Sequence, residues 1–308
     1  MSEQPGGRAA PGGAGRVSRP TAPERVGVLG GGRMGAGIAH AFLVAGSHVT
    51  VVERDDDAAE AARTRVLDSV AASVARGTTD ETADAIGGRL AVATDVDGFA
   101  GAGLVIEAVP EDLDLKLDAL TRVEAVLGAD AALATNTSSI SIDALADRLD
   151  RPARFLGLHF FNPVPLMKLV EVVRAAKTSE EALAPVRSFA EGIGKTPVLA
   201  KDTPGFIVNR LLVPYLVEAI RMVERGEASR ENVDAAMKLG CGYPMGPIEL
   251  LDYVGLDTTL AIVEGWHRRF PGEKLFEPPA LLRDLVKRGQ TGRKSGPGFY
   301  EWEGDRRK

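Results

Sequence analysis

The sequence predicts an α/β protein with two domains, a doubly wound and mainly parallel sheet followed by an all-helical domain. Two observations support this. Up to about residue 201, short β-branched runs alternate with longer segments whose apolar residues recur every three or four positions, a pattern typical of βαβ units with helices on both faces of a sheet. From residue 202 onward, helical spacing continues and strand signals nearly disappear.

The elements follow one another in a regular order. Strand signals, which are short runs rich in Val, Ile and other apolar residues, occur at 25–30, 48–53, 89–93, 103–109 and 131–136. Helical spacing occurs at 33–46, 55–76 and 112–127. Further strands are predicted at 154–161, 167–174 and 196–200, with a helix over 179–192. These later strands extend the same sheet.

Three segments are predicted along the chain: a tail at 1–23, the sheet domain at 24–201 and the helical domain at 202–308. The tail is rich in Gly, Pro, Ala and Arg and contains no apolar stretch, so we expect a disordered segment rather than a secretory signal. An Arg-rich transit peptide is the alternative. Within the first helix of the second domain, Pro214 predicts a kink or a break.

Composition narrows the class of function. A chain of 308 residues, 44% of them hydrophobic, can bury a large core in about two domains. The net charge of −6 gives no overall reason to expect a nucleic acid or an anionic membrane as partner. The single cysteine, Cys241, excludes internal disulfides and fits a reducing cytoplasm. No apolar run is long enough to span a bilayer. We expect a cytoplasmic protein that binds a small molecule, without a metal site.

A glycine-rich loop joins the first predicted strand to the first predicted helix. Gly30, Gly32 and Gly35 give the spacing G-x-G-x-x-G, in which the first glycine makes a tight turn, the second admits a pyrophosphate and the third packs against the strand. The phosphates would lie on the helix N-terminus at Arg33 and Met34. A chance turn in a Gly-rich chain is the alternative. Because strand and helix flank the loop, we predict a Rossmann-type dinucleotide site.

An acidic residue supports this site and favours one cofactor. Glu53 ends the next predicted strand, about 20 residues after the loop, where a carboxylate can accept both ribose hydroxyls of an adenosine. The same carboxylate would repel a 2′-phosphate, so NAD is favoured over NADP. Arg54 follows directly and leaves NADP open. A solvated charge at the strand end is the alternative for Glu53.

Hydride transfer between a nicotinamide and an alcohol requires a group that takes the hydroxyl proton, and the ordinary pKa of histidine suits this task. His40 lies inside the helix after the glycine loop, His48 at the start of a strand, and His267 in a polar helical stretch. His159 lies towards the carboxyl end of its predicted strand, where the ligands of such sheets bind. It is the candidate base, and a histidine satisfied in the core is the alternative.

Glu171 is the candidate partner of His159. It lies in the Val-rich run KLVEVV, where an unpaired buried carboxylate would be costly. The segment NPVP between the two residues excludes one continuous helix, but two neighbouring strands could bring the side chains together. Glu171 would then orient the imidazole and stabilise its protonated form. A structural pair with Lys168 or Arg174, or an exposed strand edge, is the alternative.

Five longer segments resemble the L-3-hydroxyacyl-CoA dehydrogenases. They occur in the family's order, and the likeness extends over nearly the whole chain from residue 25, at 136–142, 154–173, 201–220, 237–258 and 295–302. The resemblance implies an NAD-dependent enzyme of fatty acid metabolism, such as β-oxidation. It would interconvert (S)-3-hydroxyacyl-CoA and 3-ketoacyl-CoA, with short-chain substrates such as 3-hydroxybutyryl-CoA. It also implies a single activity and a homodimer formed by the helical domain.

The resemblance assigns catalytic roles residue by residue. His159 and Glu171 match the catalytic pair, and Ser138 matches the serine that binds the substrate oxygen at C3. Asn209 matches the asparagine that helps to hold substrate at the domain junction. Without the family, Ser138 would be interpreted as a helix N-cap and Asn209 as a capping or packing amide.

Further positions match ligand contacts of the family. Glu111 and Lys116 match residues that contact the cofactor, with Lys116 also near the CoA substrate, although composition alone predicts a solvated helix start there. Asn162 and Lys294 also match cofactor contacts.

The CoA-binding positions match less well. Ser69 and Arg76 match a serine and a lysine that bind CoA, in a stretch that otherwise resembles the family poorly. Arg76 keeps the positive charge that a phosphate requires. Glu53 stands where the family commonly has an aspartate.

Two other functions stay open. One is an NAD-dependent dehydrogenase of a free 3-hydroxy acid, such as a sugar acid. The other is a non-catalytic NADH-binding or structural protein, against which the presence of Ser138, His159, Glu171 and Asn209 together argues.

Overall fold

The computed structural model describes residues 22–308, so nearly all of the predicted tail at 1–23 lies outside the described residues. An eight-stranded sheet forms the first part of the molecule. Its strands are β1 (Arg25–Leu29), β2 (His48–Val52), β3 (Leu90–Ala93), β4 (Leu104–Glu107), β5 (Ala132–Thr135), β6 (Phe155–Phe160), β7 (Leu169–Arg174) and β8 (Thr196–Lys201). All eight coincide with predicted strands to within a few residues.

The strand order is β3-β2-β1-β4-β5-β6-β7-β8. Strands β1 to β6 are mutually parallel, β7 is antiparallel to β6, and β8 is parallel to β7. The order moves outward in both directions from β1 and β4, which makes the sheet doubly wound. Such sheets bind ligands outside the carboxyl ends of their central strands.

Helices cover both faces of the sheet. They are α1 (Arg33–Val44), α2 (Asp56–Ala75), α3 (Ala83–Gly87), α4 (Leu113–Val126), α5 (Ile142–Ala146) and α6 (Glu180–Gly192). At five of these helices the side-chain oxygen of the N-cap residue accepts a hydrogen bond from a first-turn N–H group; these residues are Asp55, Thr82, Asp112, Ser141 and Ser179.

The sheet separates two apolar cores. Val26 and Val28 of β1 lie in one core with Phe42 of α1, and Leu29 lies in the other with Leu120 of α4. Because successive strand residues point to opposite faces, each central strand must be apolar at almost every position. That requirement explains the continuous apolar runs in the sequence.

Helices dominate the remainder of the chain. They are α7 (Val208–Glu224), α8 (Arg230–Cys241), α9 (Pro247–Val254), α10 (Leu256–Arg269) and α11 (Ala280–Lys287). The helix α7 continues through Pro214, so the proline does not break it. A two-stranded hairpin, β9 (Trp302–Glu303) and β10 (Arg306–Arg307), was not predicted. Within residues 22–308, no helix has the length and apolar character that crossing a membrane would require.

The fold class is confirmed: an α/β sheet domain precedes a helical region. The sheet ends at Lys201 and the helices resume at Val208, while the boundaries 24–201 and 202–308 stay a prediction.

Candidate active site

His159 and Glu171 are paired across two neighbouring strands. In the antiparallel register of β6 and β7 they stand directly opposite each other, so their side chains extend from the same face of the sheet. The Nδ1 atom of His159 lies 2.7 Å from Oε2 of Glu171, and both side chains are buried. The two predicted strands therefore bring the residues into hydrogen-bond contact.

The second carboxylate oxygen of Glu171 binds another element. Its Oε1 accepts hydrogen bonds from the backbone N–H groups of Ile207 (3.0 Å) and Val208 (2.9 Å), where α7 begins. Burial alone would raise the pKa of Glu171, but the hydrogen bonds from His159 and the backbone outweigh burial and lower it. The carboxylate is thus held ionised.

The alternatives for Glu171 are wrong. The side chain is fully buried, so it does not lie on an exposed strand edge. Arg174 pairs with Glu180 instead, and the three groups around Glu171 are His159 and two backbone N–H groups. No pairing with Lys168 occurs among the described residues.

The His159 ring is enclosed by aromatic side chains. Phe161 and Phe206 lie 4.6 Å and 5.5 Å from it, centroid to centroid. Within residues 22–308, no protein group is hydrogen-bonded to Nε2 of His159, whereas Nδ1 is bound by Glu171. Nε2 is therefore the nitrogen that can exchange a proton with a substrate, and protonation would create an ion pair with Glu171.

Phe206 has an unusual backbone conformation. Its φ is +50°, a region that favours glycine. This conformation lies just before the two N–H groups that bind Glu171. The turn into α7 thus has a strained backbone at a residue that packs against His159. Strained residues of this kind are often found at functional sites.

Ser138 lies in a loop after β5, between two residues whose hydroxyls share one hydrogen-bond partner. The hydroxyls of Thr137 and Ser139 both donate to Oε1 of Glu111, at 2.5 Å and 2.8 Å. In the described part of the chain, the Ser138 hydroxyl has no protein hydrogen-bond partner, which leaves it available to a ligand. The N-cap of α5 is Ser141, so the alternative interpretation of Ser138 as a helix cap is wrong.

Asn209 belongs to the first turn of α7 and is half-buried. It directly follows Val208, whose N–H binds Glu171. The turn that carries Asn209 is therefore anchored to the carboxylate that contacts His159. Within the described part of the chain no side chain caps α7, and the N-cap position is Ile207, so Asn209 is not a capping amide.

The glycine loop borders a cavity of about 580 Å³. Gly30 adopts a φ of +93°, and a Cβ on Gly35 would lie 1.7 Å from the Gly30 carbonyl oxygen. Gly32 faces open space at the cavity, and no side chain caps the α1 N-terminus behind it. The first-turn N–H groups at Arg33 and Met34 are thus available to an anion. A dinucleotide pyrophosphate fits this arrangement.

Glu53 lies on the wall of the same cavity. Its Oε1 accepts a hydrogen bond from Gly31 N–H at 2.7 Å, so the carboxylate is held against the glycine loop rather than solvated at random. Arg54 also borders the cavity, and its exposed guanidinium binds Asp55. The arrangement suits ribose hydroxyls and disfavours a 2′-phosphate.

Lys116 is buried, contrary to the solvated helix start that composition predicted. Its side chain is 1% exposed, and its ammonium contacts Glu107 at 2.7 Å and Glu111 at 3.3 Å. It also donates to the Val109 carbonyl. Contact with a ligand would require Lys116 to release one of these partners.

In residues 22–308, the other predicted contacts form no hydrogen bond with His159. Asn162 is exposed just after β6, and the Lys294 ammonium pairs with Asp257 at 2.6 Å. Ser69 donates its hydroxyl to a carbonyl of its own helix. Arg76 borders a separate cavity of about 170 Å³ together with His40. None of Asn162, Lys294, Ser69 and Arg76 borders the cavity at the glycine loop.

Sequence reasoning missed Glu107, the last residue of β4, which is completely buried and binds Lys116. One signal was present in the sequence. Like Glu53, Glu107 is a carboxylate at the end of an apolar strand, and the carboxyl ends of parallel strands form the ligand-binding edge.

The chain is similar to known proteins over most of its length. Residues 25–203 match the family model described as 3-hydroxyacyl-CoA dehydrogenase, NAD binding domain, and residues 205–302 match the model of the C-terminal domain of the same family. The mitochondrial hydroxyacyl-coenzyme A dehydrogenase of Rattus norvegicus is 45% identical over 287 residues, which is 91% of this chain and 91% of that protein.

Two bacterial proteins are similar over most of their length. The 3-hydroxybutyryl-CoA dehydrogenase of Mycobacterium tuberculosis is 45% identical over 282 residues, covering 91% of this chain and 98% of that protein. The crystal structure of (S)-3-hydroxybutyryl-CoA dehydrogenase from Ralstonia eutropha superposes with a TM-score of 0.87 at 39% identity, covering 92% of this chain and all of that chain.

Proposed function

The chain belongs to the 3-hydroxyacyl-CoA dehydrogenase family and is an NAD-dependent oxidoreductase of that type, and on this premise we propose that His159, oriented by Glu171, is its general base and acid. The substrate pair that we propose is a short-chain (S)-3-hydroxyacyl-CoA and its 3-ketoacyl-CoA. The 3-hydroxybutyryl-CoA named in two similar proteins supports the short chain. The single observation that carries the proposal is the 2.7 Å contact between Nδ1 of His159 and Glu171, with Nε2 left to substrate.

The residues divide the chemistry between them. The glycine loop would hold NAD, which would supply the acceptor for the hydride that leaves C3. Nε2 of His159 takes the proton of the 3-hydroxyl group, and Glu171 stabilises the imidazolium that results. The hydroxyl of Ser138 donates a hydrogen bond to the oxygen at C3. In the reverse direction His159 returns the proton to that oxygen.

The enclosure of the histidine supports this mechanism. Phe161 and Phe206 keep bulk water from most of the ring, so the attraction between imidazolium and carboxylate is screened less than at the surface. The turn that carries Asn209 is joined to the same carboxylate. Closure of the helical region over an acyl group would thus change the hydrogen bonds that Glu171 accepts from α7.

We also propose a homodimer formed by the helical region. Leu211 on α7 and Leu239 on α8 are 71% and 88% exposed, which is unusual for large apolar side chains and favours a protein interface. Light scattering of the purified protein tests this proposal, and a monomer at micromolar concentration contradicts it.

A cytoplasmic location and a role in fatty acid metabolism remain proposals. The single cysteine supports a reducing compartment, whereas the similar rat protein is named as mitochondrial. Fractionation of the source cells would separate the two compartments.

The function is tested by initial rates with 3-ketoacyl-CoA substrates of increasing length, each run with NADH and NADPH. We expect the highest kcat/KM with acetoacetyl-CoA and NADH, and inhibition by free CoA that competes with the acyl-CoA. A higher kcat/KM for long chains would contradict the short-chain proposal.

The same assay separates the two alternatives. Oxidation of a free 3-hydroxy acid that free CoA does not inhibit would support the sugar-acid alternative. Tight NADH binding without turnover of any acyl-CoA would support the non-catalytic one.

A further inference from the structure

A buried carboxylate outside the proposed mechanism lies beneath the loop that carries Ser138. Glu107 ends β4 and is completely buried. Its Oε1 accepts from the Lys116 ammonium and from Val109 N–H, both at 2.7 Å, and its Oε2 accepts from the Thr135 hydroxyl at 2.6 Å. Burying an ionised carboxylate is unfavourable unless it is paired in this way. Packing alone therefore does not explain why a glutamate occupies this position.

We propose that Glu107 is a positioning residue for Ser138 and acts through Lys116 and Glu111. This inference rests on the proposed role of Ser138 in binding the oxygen at C3. Glu107 itself contacts neither substrate nor cofactor.

The first step of the argument is that Lys116 is saturated. An ammonium has three N–H donors, and the described residues provide three acceptors within reach: Oε1 of Glu107, the Val109 carbonyl at 3.1 Å and Oε2 of Glu111 at 3.3 Å. The shortest contact is that with Glu107. Lys116 is therefore anchored on Glu107 and extends its charge towards Glu111.

The second step leads from Glu111 to Ser138. While Oε2 of Glu111 faces Lys116, its Oε1 accepts the backbone N–H groups of Ser138 and Ser139, both at 3.0 Å. It also accepts the hydroxyls of Thr137 and Ser139. Four donors of one loop thus converge on one oxygen. The Ser138 backbone is fixed, and its hydroxyl is the one in this run that remains for a ligand.

The third step concerns charge. Two carboxylates share one ammonium, so Lys116 is drawn towards both. If Glu107 were neutral, Glu111 would be the only carboxylate paired with Lys116, and the ammonium would move towards it. That shift would compete with the N–H groups of Ser138 and Ser139 for the Glu111 carboxylate. The loop would then lose part of its anchor without any change in the residues that touch a ligand.

A second link between Glu107 and the same loop, through Thr135, supports this route. Thr135, which donates to Glu107, also accepts from the backbone N–H of Thr137 at 3.3 Å. Glu107 is therefore linked to the loop of Ser138 through Thr135 as well as through Lys116. A change at Glu107 would be transmitted along both connections.

The test is a double-mutant cycle between Glu107→Gln and Ser138→Ala. The glutamine keeps the shape and an acceptor oxygen but removes the charge. We expect Glu107→Gln alone to lower kcat for acetoacetyl-CoA reduction, measured at saturating NADH, about tenfold. In the Ser138→Ala background the same change should have little further effect, because the serine that it positions is absent.

Glu124→Gln is the matched control. Glu124 is also a buried glutamate of the sheet domain, but it binds the backbone N–H groups of Asp150 and Arg151. We expect it to lower the unfolding temperature without lowering kcat. If Glu107→Gln does not fold, Thr135→Val removes one donor to Glu107 at nearly constant volume and enters the same cycle with an expected loss of about threefold.

The outcomes separate the inference from the proposed function. If Ser138→Ala lowers kcat but the two losses multiply, Glu107 acts elsewhere and the inference is wrong while the role of Ser138 stands. If Ser138→Ala has no effect on kcat, the proposed role of Ser138 fails and the inference with it. A fall in kcat for Glu124→Gln as large as that for Glu107→Gln would show a general effect of destabilisation and would also overturn the inference.

Discussion

Two buried histidines of the sheet domain differ in the partner that each has. His159 on β6 is 6% exposed and its Nδ1 contacts the Glu171 carboxylate; His40 on α1 is 5% exposed and its Nε2 contacts the Ser73 hydroxyl at 2.8 Å. Burial is equal, so burial does not distinguish them. We therefore propose that a carboxylate partner, rather than a buried position, makes a histidine of this fold suitable for proton transfer.

The surroundings of His40 oppose protonation. Burial, with smaller contributions from the cationic side chains of Arg76 and Lys195, lowers the pKa of His40 to about 4. Among residues 22–308, its Nδ1 has no hydrogen-bond partner. A proton on His40 would have no anion to stabilise it, whereas a proton on His159 would form an ion pair with Glu171. His40 is therefore expected to remain a neutral packing residue at neutral pH.

Exchanging each histidine for glutamine gives the largest expected contrast. His159→Gln should lower kcat for acetoacetyl-CoA reduction by on the order of 10² to 10⁴, because an amide cannot take or return the proton. His40→Gln should change kcat less than about threefold, because a glutamine can still bind Ser73. Stopped-flow or steady-state NADH absorbance measures both. Parental activity in His159→Gln would refute the proposed base, and equal losses in the two variants would abolish the contrast.

Glu171→Gln tests whether the carboxylate makes the difference. We expect kcat to fall by about 10², less than the largest loss expected for His159→Gln, since the imidazole remains but its protonated form loses its ion pair. The variant should also shift the pH profile of kcat, which a purely structural change would not do. If kcat stayed within about threefold of the parent, the partner would not explain the behaviour of His159.

The same variant has a pH-dependent effect on stability. The folded-state pKa of Glu171 is lowered from its usual 4.5, so its contribution to stability is present above that pH and is lost as pH falls through the folded-state value. The unfolding free energies of parent and Glu171→Gln should therefore differ most at neutral pH and converge below about pH 4.5. Urea denaturation at several pH values measures this. A difference that stayed constant with pH would mean that the charge of Glu171 does not stabilise the fold.

Much of the fold and the central pair could be predicted from the sequence, because both depend on local patterns. Apolar runs gave the eight strands, the carboxyl end of one strand identified His159, and the cost of an unpaired carboxylate in a Val-rich run identified Glu171. The contact itself could not be predicted from these patterns alone, because it depends on the register of an antiparallel pair in an otherwise parallel sheet. A shift of one residue would have placed the two side chains on opposite faces.

The features that the sequence patterns could not predict depend on packing between distant segments. Lys116 looks solvated in the sequence because it lies in an acidic helix start, but Glu107 at the end of β4 and Glu111 in the following loop bind its buried ammonium. The hairpin of residues 302–307 has strands of only two residues, too short for an alternating pattern. Its position depends on the buried Asp252, which accepts from Trp302 across the helical core.

The smallest expected effect tests the other member of the comparison, His40, through stability instead of rate. Because the pKa of His40 is lowered from 6.5 to about 4 in the folded protein, the unfolded chain binds a proton between these values while the folded protein does not. Stability should therefore fall as pH falls through this window. His40→Gln removes this contribution, so between pH 7 and pH 5 the variant should lose about 2 kcal/mol less unfolding free energy than the parent. Urea titrations at the two pH values measure the difference, above the range in which Glu171 titrates. Equal losses in parent and variant would mean that His40 is protonated in the folded state as readily as in the unfolded chain. The hydrogen-bond partners of His40 and His159 would then not explain the contrast between them.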